Sequence, residues 1–451
     1  MDIKGGYNDT GGNVNILKTD NKLIGTSYQA PGKLIARYYD SGFIHSHDTY
    51  NGLSVASNGK VYYVLCSELM EKGGQMFCFD PKAEQIKHVG DLTEMSGEKD
   101  MKAVSQGKSH VNFYESNGKL YFSTHLGYYT FIDGMEMIGV PTGDYKPYRG
   151  GHILAYDLKT GKAESLCIAP NKEGILTTTM DTKRGLIYNL TWPSGHLFRY
   201  DLNAKKLTDL GPFTGSGERK KGNCYRVICR SIVIDPRDGT SYITNAEGDI
   251  KFIRVGSDTI ETLEGENMRK DYFGKYEVCT AGSMAYNWRQ LVWYEPEKLF
   301  YGVHGNSGYL FRFDPLVPRI ELVERLTSVP SKKSGMFDYF SFGYLGFTLG
   351  PDGRTLYYLT GGPIYIDGKR VQGEEAISRG AARGLENLHL ITWDIPTGTY
   401  IDHGPIFYPN GERPTYVNSI GVGYDGTIYT LARVSDSEKT DLISIPSPFK
   451  K

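Results

Sequence analysis

The chain has 451 residues, of which 39% are hydrophobic and 23% charged, a composition typical of a globular protein rather than a disordered one. Its 51 Lys and Arg residues nearly balance 52 Asp and Glu residues, so we expect no general affinity for nucleic acid or an anionic membrane. No apolar run approaches the roughly 18 residues of a membrane-spanning helix. The polar start MDIKGGYNDTGGNVN shows no secretory signal, which leaves the compartment open at this stage.

The 55 glycines, 34 tyrosines and 19 phenylalanines favour many short strands and tight turns. An apolar–x–aromatic–Asp motif followed by a turn recurs at 77–80, 154–157, 198–201, 311–314 and 391–394. Seven hairpins of a second kind accompany it, such as VNFYESNGKLYFSTH and FTLGPDGRTLYYLTG. Four strands per unit, at a period of roughly 40–80 residues, predict an all-β, seven-bladed β-propeller that forms a single domain over residues 1–451.

The seventh unit lacks one strand, because only TDLISIP follows its hairpin. The segment 33–39 near the N-terminus has no hairpin partner of its own. We therefore predict that it pairs with the strand at 441–446, completes the seventh blade and closes the ring, which removes a free sheet edge. The one plausible short helix is EEAISRGAARGLE, inside a long insertion in blade six.

Repetition also separates packing positions from candidate functional ones. Five residues before the motif Asp stand Gln75, His152, His196, Tyr309 and His389. We predict that the three histidines are structural and that each makes a local hydrogen bond between blades. The six cysteines are too few for a disulfide scaffold, and the C-x4-C spacing of Cys224 and Cys229 is a weak zinc signal, so buried thiols are expected.

Polar residues that do not recur from blade to blade lie at strand ends, at the mouth of the central channel. The hairpin register places His125, His304 and Arg433 at second-strand ends, and His110, Arg230 and Arg289 at innermost-strand starts. Neither ring of strand ends contains Asp or Glu, which predicts a cationic mouth suited to a carboxylate ligand. His110 and His125, at the two exposed ends of one hairpin, would lie close enough to share proton transfer near neutral pH. The alternative is a set of solvated polar residues around a water-filled channel.

Aromatic residues near the mouth could stack on sugar rings or donate a phenolic proton, namely Tyr128, Tyr129, Trp192 and Tyr225. At these residues the sequence resembles propeller enzymes that act on uronate-containing polysaccharides, including ulvan lyases and enzymes that cleave rhamnosyl-α-1,4-glucuronate in gum arabic. The resemblance is carried by SHVNFYESNGKLYFSTH, RGLIYNLTWPSGHLFRYDL, VHGNSGYLFRFDP and LGFTLGPDGRTLYYLTGGPIY.

The resemblance implies a propeller-type lyase with two His, one Tyr and one Arg at the channel mouth. His110 and His125 match the histidine pair. The corresponding positions in blade three are Leu176 or Thr177 and Thr191, so Tyr225 and Arg230 are candidates by position only. The rhamnosidase relatives imply a histidine on the opposite face, which the sequence does not locate.

Together these patterns predict an enzyme that cleaves a 1,4 linkage to glucuronate by β-elimination. The predicted catalytic residues are His110, His125, Tyr225 and Arg230, and the predicted substrate-binding residues are Arg289, His304, Trp192 and Arg433. We expect an anionic oligo- or polysaccharide substrate, no cofactor for the chemistry, at most a structural metal ion, a monomer, and a periplasmic or extracellular location. The alternatives are an α-L-rhamnosidase acting on the same linkage, or a sugar-binding propeller without activity. The rings' lack of carboxylates counts against a usual hydrolase.

Overall fold

A computed structural model describes residues 34–329, 346–363, 386–414, 417, 419–433 and 439–449, with four short strands between 365 and 382. Its strands form seven blades arranged as a β-propeller, as the sequence predicts. Within each blade the strands run antiparallel, from an inner strand to an outer one.

The blades follow one another along the chain. Blade one consists of Leu53–Val55, Val61–Leu65, Gln75–Asp80 and Gln85–Asp91. Blade two consists of Tyr114–Ser116, Lys119–Ser123, His152–Asp157 and Ala163–Ile168, with an inserted hairpin of Tyr129–Ile132 and Met135–Ile138. Blade three consists of Gly174–Asp181, Leu186–Trp192, His196–Asp201 and Lys206–Pro212. Blade four consists of Val233–Ile234, Ser241–Thr244, Asp249–Ile253 and Glu261–Asn267.

The remaining blades follow the same plan. Blade five consists of Trp288–Tyr294, Leu299–His304, Tyr309–Asp314 and Arg319–Arg325. Blade six consists of Phe347–Leu349, Thr355–Pro363, Glu386–Asp394 and Thr399–Phe407. Blade seven consists of Gly421–Val422, Ile428–Arg433, Thr440–Ile445 and the N-terminal strand Arg37–Tyr38. Helical turns in the described residues are Leu92–Met95, Pro170–Lys172, Gly222–Cys224 and Asp271–Phe273.

The N-terminal segment closes the ring. Arg37–Tyr38 pairs antiparallel with Thr440–Ile445, with Arg37 opposite Ser444. Just before it, Leu34–Ile35 pairs in parallel with Thr399–Phe407 of blade six. The predicted closing strand is therefore confirmed, and it joins blades six and seven as well as completing the latter.

The three repeated histidines occupy equivalent positions in the third strands of their blades. Each bonds a residue 13 positions further on, in the outer strand: His152 Nδ1 lies 2.7 Å from Ser165 Oγ, His196 Nε2 lies 2.6 Å from Asp209 Oδ1, and His389 Nδ1 lies 2.9 Å from Asp402 Oδ1. Gln75 and His88 form the same pair in blade one, at 2.8 Å. The predicted equivalence is confirmed. The bonds to the outer strand lie within one blade, but His152 also makes a contact outside blade two, because its Nε2 lies 2.9 Å from Oε1 of Glu98 in the connection from blade one.

The insertion in blade six differs from its prediction. Glu375–Ala376 pairs antiparallel with Ala381–Ala382, so a helix over 374–386 is wrong for the described residues. Most of the predicted helix lies outside the described residues. In the part of the chain that the structure covers, we find no helix long and apolar enough to cross a membrane.

Candidate functional site

The open ends of the blade-two hairpin are tied together by backbone hydrogen bonds. The Lys108 amide donates to the His125 carbonyl at 2.9 Å, and the His125 amide donates to the Lys108 carbonyl at 2.7 Å. This pairing brings the imidazole rings of His110 and His125 to 4.7 Å between centroids, with their planes at 80°. Tyr50 stacks on the other side of His110 at 5.0 Å. The two histidines therefore lie in one connected group of rings.

Both histidines are buried rather than exposed. Only 9% of His110 and 2% of His125 is accessible to solvent. The expectation of exposed strand ends is thus wrong. Aromatic rings from segments outside the repeated hairpins pack against the two histidines and cover them. His125 is further enclosed by Trp192, whose ring centroid lies 5.7 Å away, and by Tyr129 at 6.5 Å.

A cavity at the channel mouth surrounds the two histidines. It contains about 730 Å³ of space, a figure that includes its opening to solvent. Its walls consist of His47, Asp48, Tyr50, Asn51, Glu68, Lys108, His110, His125, Tyr129, Glu136, Leu176, Trp192, Glu218, Arg230 and Arg289. Five of the eight predicted site residues therefore line it: His110, His125, Trp192, Arg230 and Arg289.

Four carboxylates also line the cavity, so a cationic mouth without acidic groups is wrong. Asp48 precedes the inner strand of blade one, and Glu68 follows its second strand. Glu136 lies on the inserted hairpin of blade two, and Glu218 lies between blades three and four. The hairpin register identifies the strand ends correctly. It does not include residues that reach the cavity from the connections between strands or from the inserted hairpin.

Lys108 is a buried cation that the sequence reasoning missed. Its ammonium lies 2.9 Å from Glu68 Oε1 and 4.8 Å from the ring centroid of Tyr129. Burial by itself lowers the pKa of Lys108, but the charge of Glu68 and its other neighbours more than offset this, so the pKa lies well above its usual value. Lys108 therefore stays charged beside His125.

Arg433, which the sequence predicts to bind substrate, does not line the cavity. Its Nε donates to Asp48 Oδ1 at 2.6 Å, and its Nη2 bonds Asp48 Oδ2. Both side chains are buried, and Thr440 Oγ1 donates to the same carboxylate at 3.3 Å. This geometry favours a structural role, in which Arg433 joins blade seven to the chain entering blade one.

His304 lies outside the cavity wall as well. Its ring stacks on Phe273 at 4.4 Å with nearly parallel planes, and Tyr276 lies on it at 5.6 Å. Burial lowers the pKa of His304 to about 3, and its Nδ1 lies 2.9 Å from Ser307 Oγ. These contacts favour packing over the predicted substrate contact.

Tyr225, the predicted catalytic tyrosine, packs in an apolar cluster with Val227, Ala246, Met284 and Ala285. Burial raises the pKa of its phenol well above the usual value, and the charge of a nearby carboxylate adds to the shift. Tyr225 is not among the residues that line the cavity. The phenols that do line the cavity belong to Tyr50 and Tyr129.

The two cavity histidines are held in their neutral form. Burial is the main cause that keeps the pKa of each imidazole well below its ordinary value. The positive charges of Lys108 and Arg230 lower both pKa values further, and Arg289 adds to the effect on His110. Near pH 7 both rings are therefore unprotonated, as a general base must be before it acts.

Metal binding finds little support among the described side chains, which include no group of three or more His, Cys, Asp or Glu placed to hold an ion. Cys224 is exposed, whereas Cys229 is buried with its Sγ 3.2 Å from the Ser231 carbonyl oxygen.

Solved structures with a similar fold share little sequence with this chain. A chain of the mitotic checkpoint complex has a TM-score of 0.52 at 10% identity, covering 95% of this chain and 100% of that one. An oligogalacturonate lyase in complex with manganese has a TM-score of 0.48 at 12% identity, and the match covers 95% of this chain and 99% of the lyase chain. The β-propeller domain of Cps50 (Swd1) from Myceliophteria thermophila has a TM-score of 0.49 at 9% identity, and the match covers 91% of this chain and 99% of that domain's chain. No family model and no curated protein matches the sequence. Similarity at these identities concerns the fold alone.

Proposed function

We propose that the protein is a carbohydrate-active enzyme that cleaves a 1,4 linkage to glucuronate in an anionic poly- or oligosaccharide by β-elimination. The observation that carries the proposal is the pair of buried, neutral histidines, His110 and His125, in one cavity with Arg230 and Arg289. We also propose that the enzyme works in the periplasm or outside the cell, where polysaccharides of this class are met, and that it acts as a monomer.

The proposed step removes the C5 proton of the uronate and breaks the C4–O4 bond. His110 or His125 takes the proton, the C5–H electron pair forms the C4–C5 double bond, and O4 leaves with the electron pair of the broken bond. A phenol from Tyr50 or Tyr129 protonates the leaving oxygen. Arginine next to the carboxylate stabilises the enolate-like charge that develops, so the step uses no cofactor.

Hydrolysis by an α-L-rhamnosidase is the second candidate, and the cavity carboxylates are the observation that favours it. A glycosidase ordinarily uses two carboxyl groups, one of them protonated. Asp48, Glu68 and Glu218 are instead each paired with a resident cation, at Arg433, Lys108 and Arg230 respectively. Carboxylates engaged in ion pairs of this kind suit a structural and electrostatic role better than acid catalysis.

Product analysis separates these functions. The protein is incubated with a panel of uronate-containing polysaccharides, and the near-ultraviolet absorbance and new reducing ends are followed together. Elimination gives both signals, because it leaves a conjugated 4,5-unsaturated uronate. Reducing ends without absorbance would contradict elimination and indicate hydrolysis, and binding without either signal would indicate a non-catalytic propeller.

The lowered pKa values of the histidines predict an unusual acid limb in the pH profile. A general base works in its unprotonated form, and burial together with Lys108 keeps His110 and His125 unprotonated below the usual histidine range. We therefore expect kcat/KM to hold its neutral value as the pH falls through about 6.5, and to decrease only at lower pH. A profile of kcat/KM against pH tests this, and a decrease centred at or above pH 6.5 would contradict a buried histidine base.

Gly174 is expected to be needed for the position of His125. A Cβ on Gly174 would overlap Nδ1 of His125 and lie 2.8 Å from its Cε1, and Gly174 opens the inner strand of blade three. Gly174→Ala should therefore displace the imidazole and lower kcat by at least tenfold, with a modest effect on stability, since overpacking costs about 1–3 kcal/mol. Kinetics and thermal melts check this, and an unchanged kcat would show that the ring position does not matter for turnover.

A further inference from the structure

Glu218 lies outside the four-strand repeat, in the connection between blades three and four. The preceding Gly217 has φ 58°, and a side chain there would collide with the Pro193 carbonyl oxygen. The Glu218 amide donates to that same oxygen at 2.8 Å. Glycine thus lets the connection cross directly over the end of the second strand of blade three, which carries Trp192.

The Glu218 carboxylate is nearly buried, with 7% of the side chain exposed, and it accepts two hydrogen bonds and forms one ion pair. Its Oε2 accepts from Trp192 Nε1 at 3.0 Å. Its Oε1 accepts from the Ile228 amide at 2.9 Å and lies 2.8 Å from Arg230 Nη2. One carboxylate therefore fixes both an indole and a guanidinium that line the cavity.

The position of Arg230 is fixed on two sides. Beyond its contact with Glu218, its Nη1 donates to the Ile228 carbonyl oxygen at 2.7 Å. Ile228 itself is tied to Glu218 through its amide, so all three groups form one rigid unit. A guanidinium held in this way loses less rotamer freedom when it binds a carboxylate than one on an unrestrained side chain.

From these contacts we propose that Glu218 is a positioning residue, which orients Arg230 towards the substrate carboxylate and Trp192 towards His125. The inference rests on the proposed function, because it assigns Arg230 to the uronate carboxylate. Glu218 does not touch the reacting atoms in this scheme. Its effect on turnover passes through Arg230, so removing Glu218 removes part of the contribution that Arg230 makes.

A double-mutant cycle on the full chain tests this coupling. Arg230→Gln should lower kcat/KM for a glucuronate oligosaccharide by about 10²–10³-fold, as expected for loss of a charge-stabilising donor. Glu218→Gln should lower it by about 10–100-fold, a size typical of residues that orient a functional side chain. The double variant should be no worse than Arg230→Gln alone, because the two residues act as one unit.

Glu173 provides a matched control for loss of a buried carboxylate. It accepts from Thr191 Oγ1 at 2.6 Å and pairs with Arg219, so it holds the same connection without lining the cavity. Glu173→Gln should lower the melting temperature but leave kcat/KM of the folded protein unchanged. The positioning role would be overturned if the losses of kcat/KM in the two single variants multiplied in the double variant. It would also be overturned if Glu173→Gln lost as much kcat/KM as Glu218→Gln. If the wild-type protein forms no unsaturated product, the proposed elimination is contradicted. The role of Glu218 is then tested separately, by measuring the Kd for the oligosaccharide in the same single and double variants.

Discussion

Replacing His110 or His125 by glutamine is expected to lower kcat/KM for a glucuronate oligosaccharide by about 10²–10⁴-fold, the usual contribution of a general acid–base group. Glutamine keeps polarity and approximate size but cannot accept a proton at neutral pH. Both rings are neutral in the folded protein and lie 4.7 Å apart, so either one is placed to act as the base. The measurement is the rate of near-ultraviolet absorbance increase at a fixed pH.

His45, an exposed histidine outside the cavity wall, is the control for this experiment. His45→Gln should retain wild-type kinetics. Because His110 and His125 are buried, each variant also needs a thermal melt and a circular dichroism spectrum to show that it is folded. Folded variants of both histidines with wild-type rates would show that the cavity is not the catalytic site.

Breaking the pair between Arg433 and Asp48 is expected to have the largest effect on stability. Both side chains are buried, and the guanidinium bonds both carboxylate oxygens. Removal of one partner from a buried pair typically costs about 3–5 kcal/mol, because it leaves an uncompensated charge. Arg433→Met should therefore lower the free energy of unfolding by about this amount, as measured by guanidinium denaturation.

The exposed pair of Arg37 and Glu84 is the matched control. Solvent and salt screen such pairs, so Arg37→Met should change the unfolding midpoint very little. The double variant Asp48→Asn with Arg433→Met should recover much of the loss, since no buried charge remains. Equal destabilisation by Arg433→Met and Arg37→Met would contradict a special cost for the buried pair.

The blades were predictable because each repeats one pattern of alternating apolar residues and turns. The closing strand at 37–38 followed from counting strands, since one blade had too few and one segment had no partner. The insertion in blade six was not predictable in this way. The insertion occurs in one blade only, so its sequence cannot be compared with equivalent segments of other blades. Its composition alone suggested a helix.

The repeat placed His110, His125 and Arg289 correctly at the cavity, whereas His304 and Arg433 lie at the predicted strand ends but outside the cavity wall. Lys108 was missed although a signal existed: it lies two residues before His110, and an extended chain presents such residues on one face. Glu136 was missed because it enters from an inserted hairpin. Its Asp133-Gly134 turn is readable in sequence, but the hairpin's place over the mouth depends on packing at its tip.

Ring closure by the N-terminal strand also sets an order of folding. Arg37–Tyr38 and Thr440–Ile445 are about 400 residues apart, and joining the ends of a free chain of that length costs roughly 5 kcal/mol of configurational entropy. Blades one to five need only neighbouring segments, so they can form as the chain leaves the ribosome, whereas the last blade must wait for both ends. We expect the Tyr39 amide, which donates to the Leu442 carbonyl oxygen in this pairing, to gain protection last in pulsed hydrogen exchange during refolding. Until that step is complete, blade seven has an open edge, and the unfinished chain is most exposed to aggregation at that time.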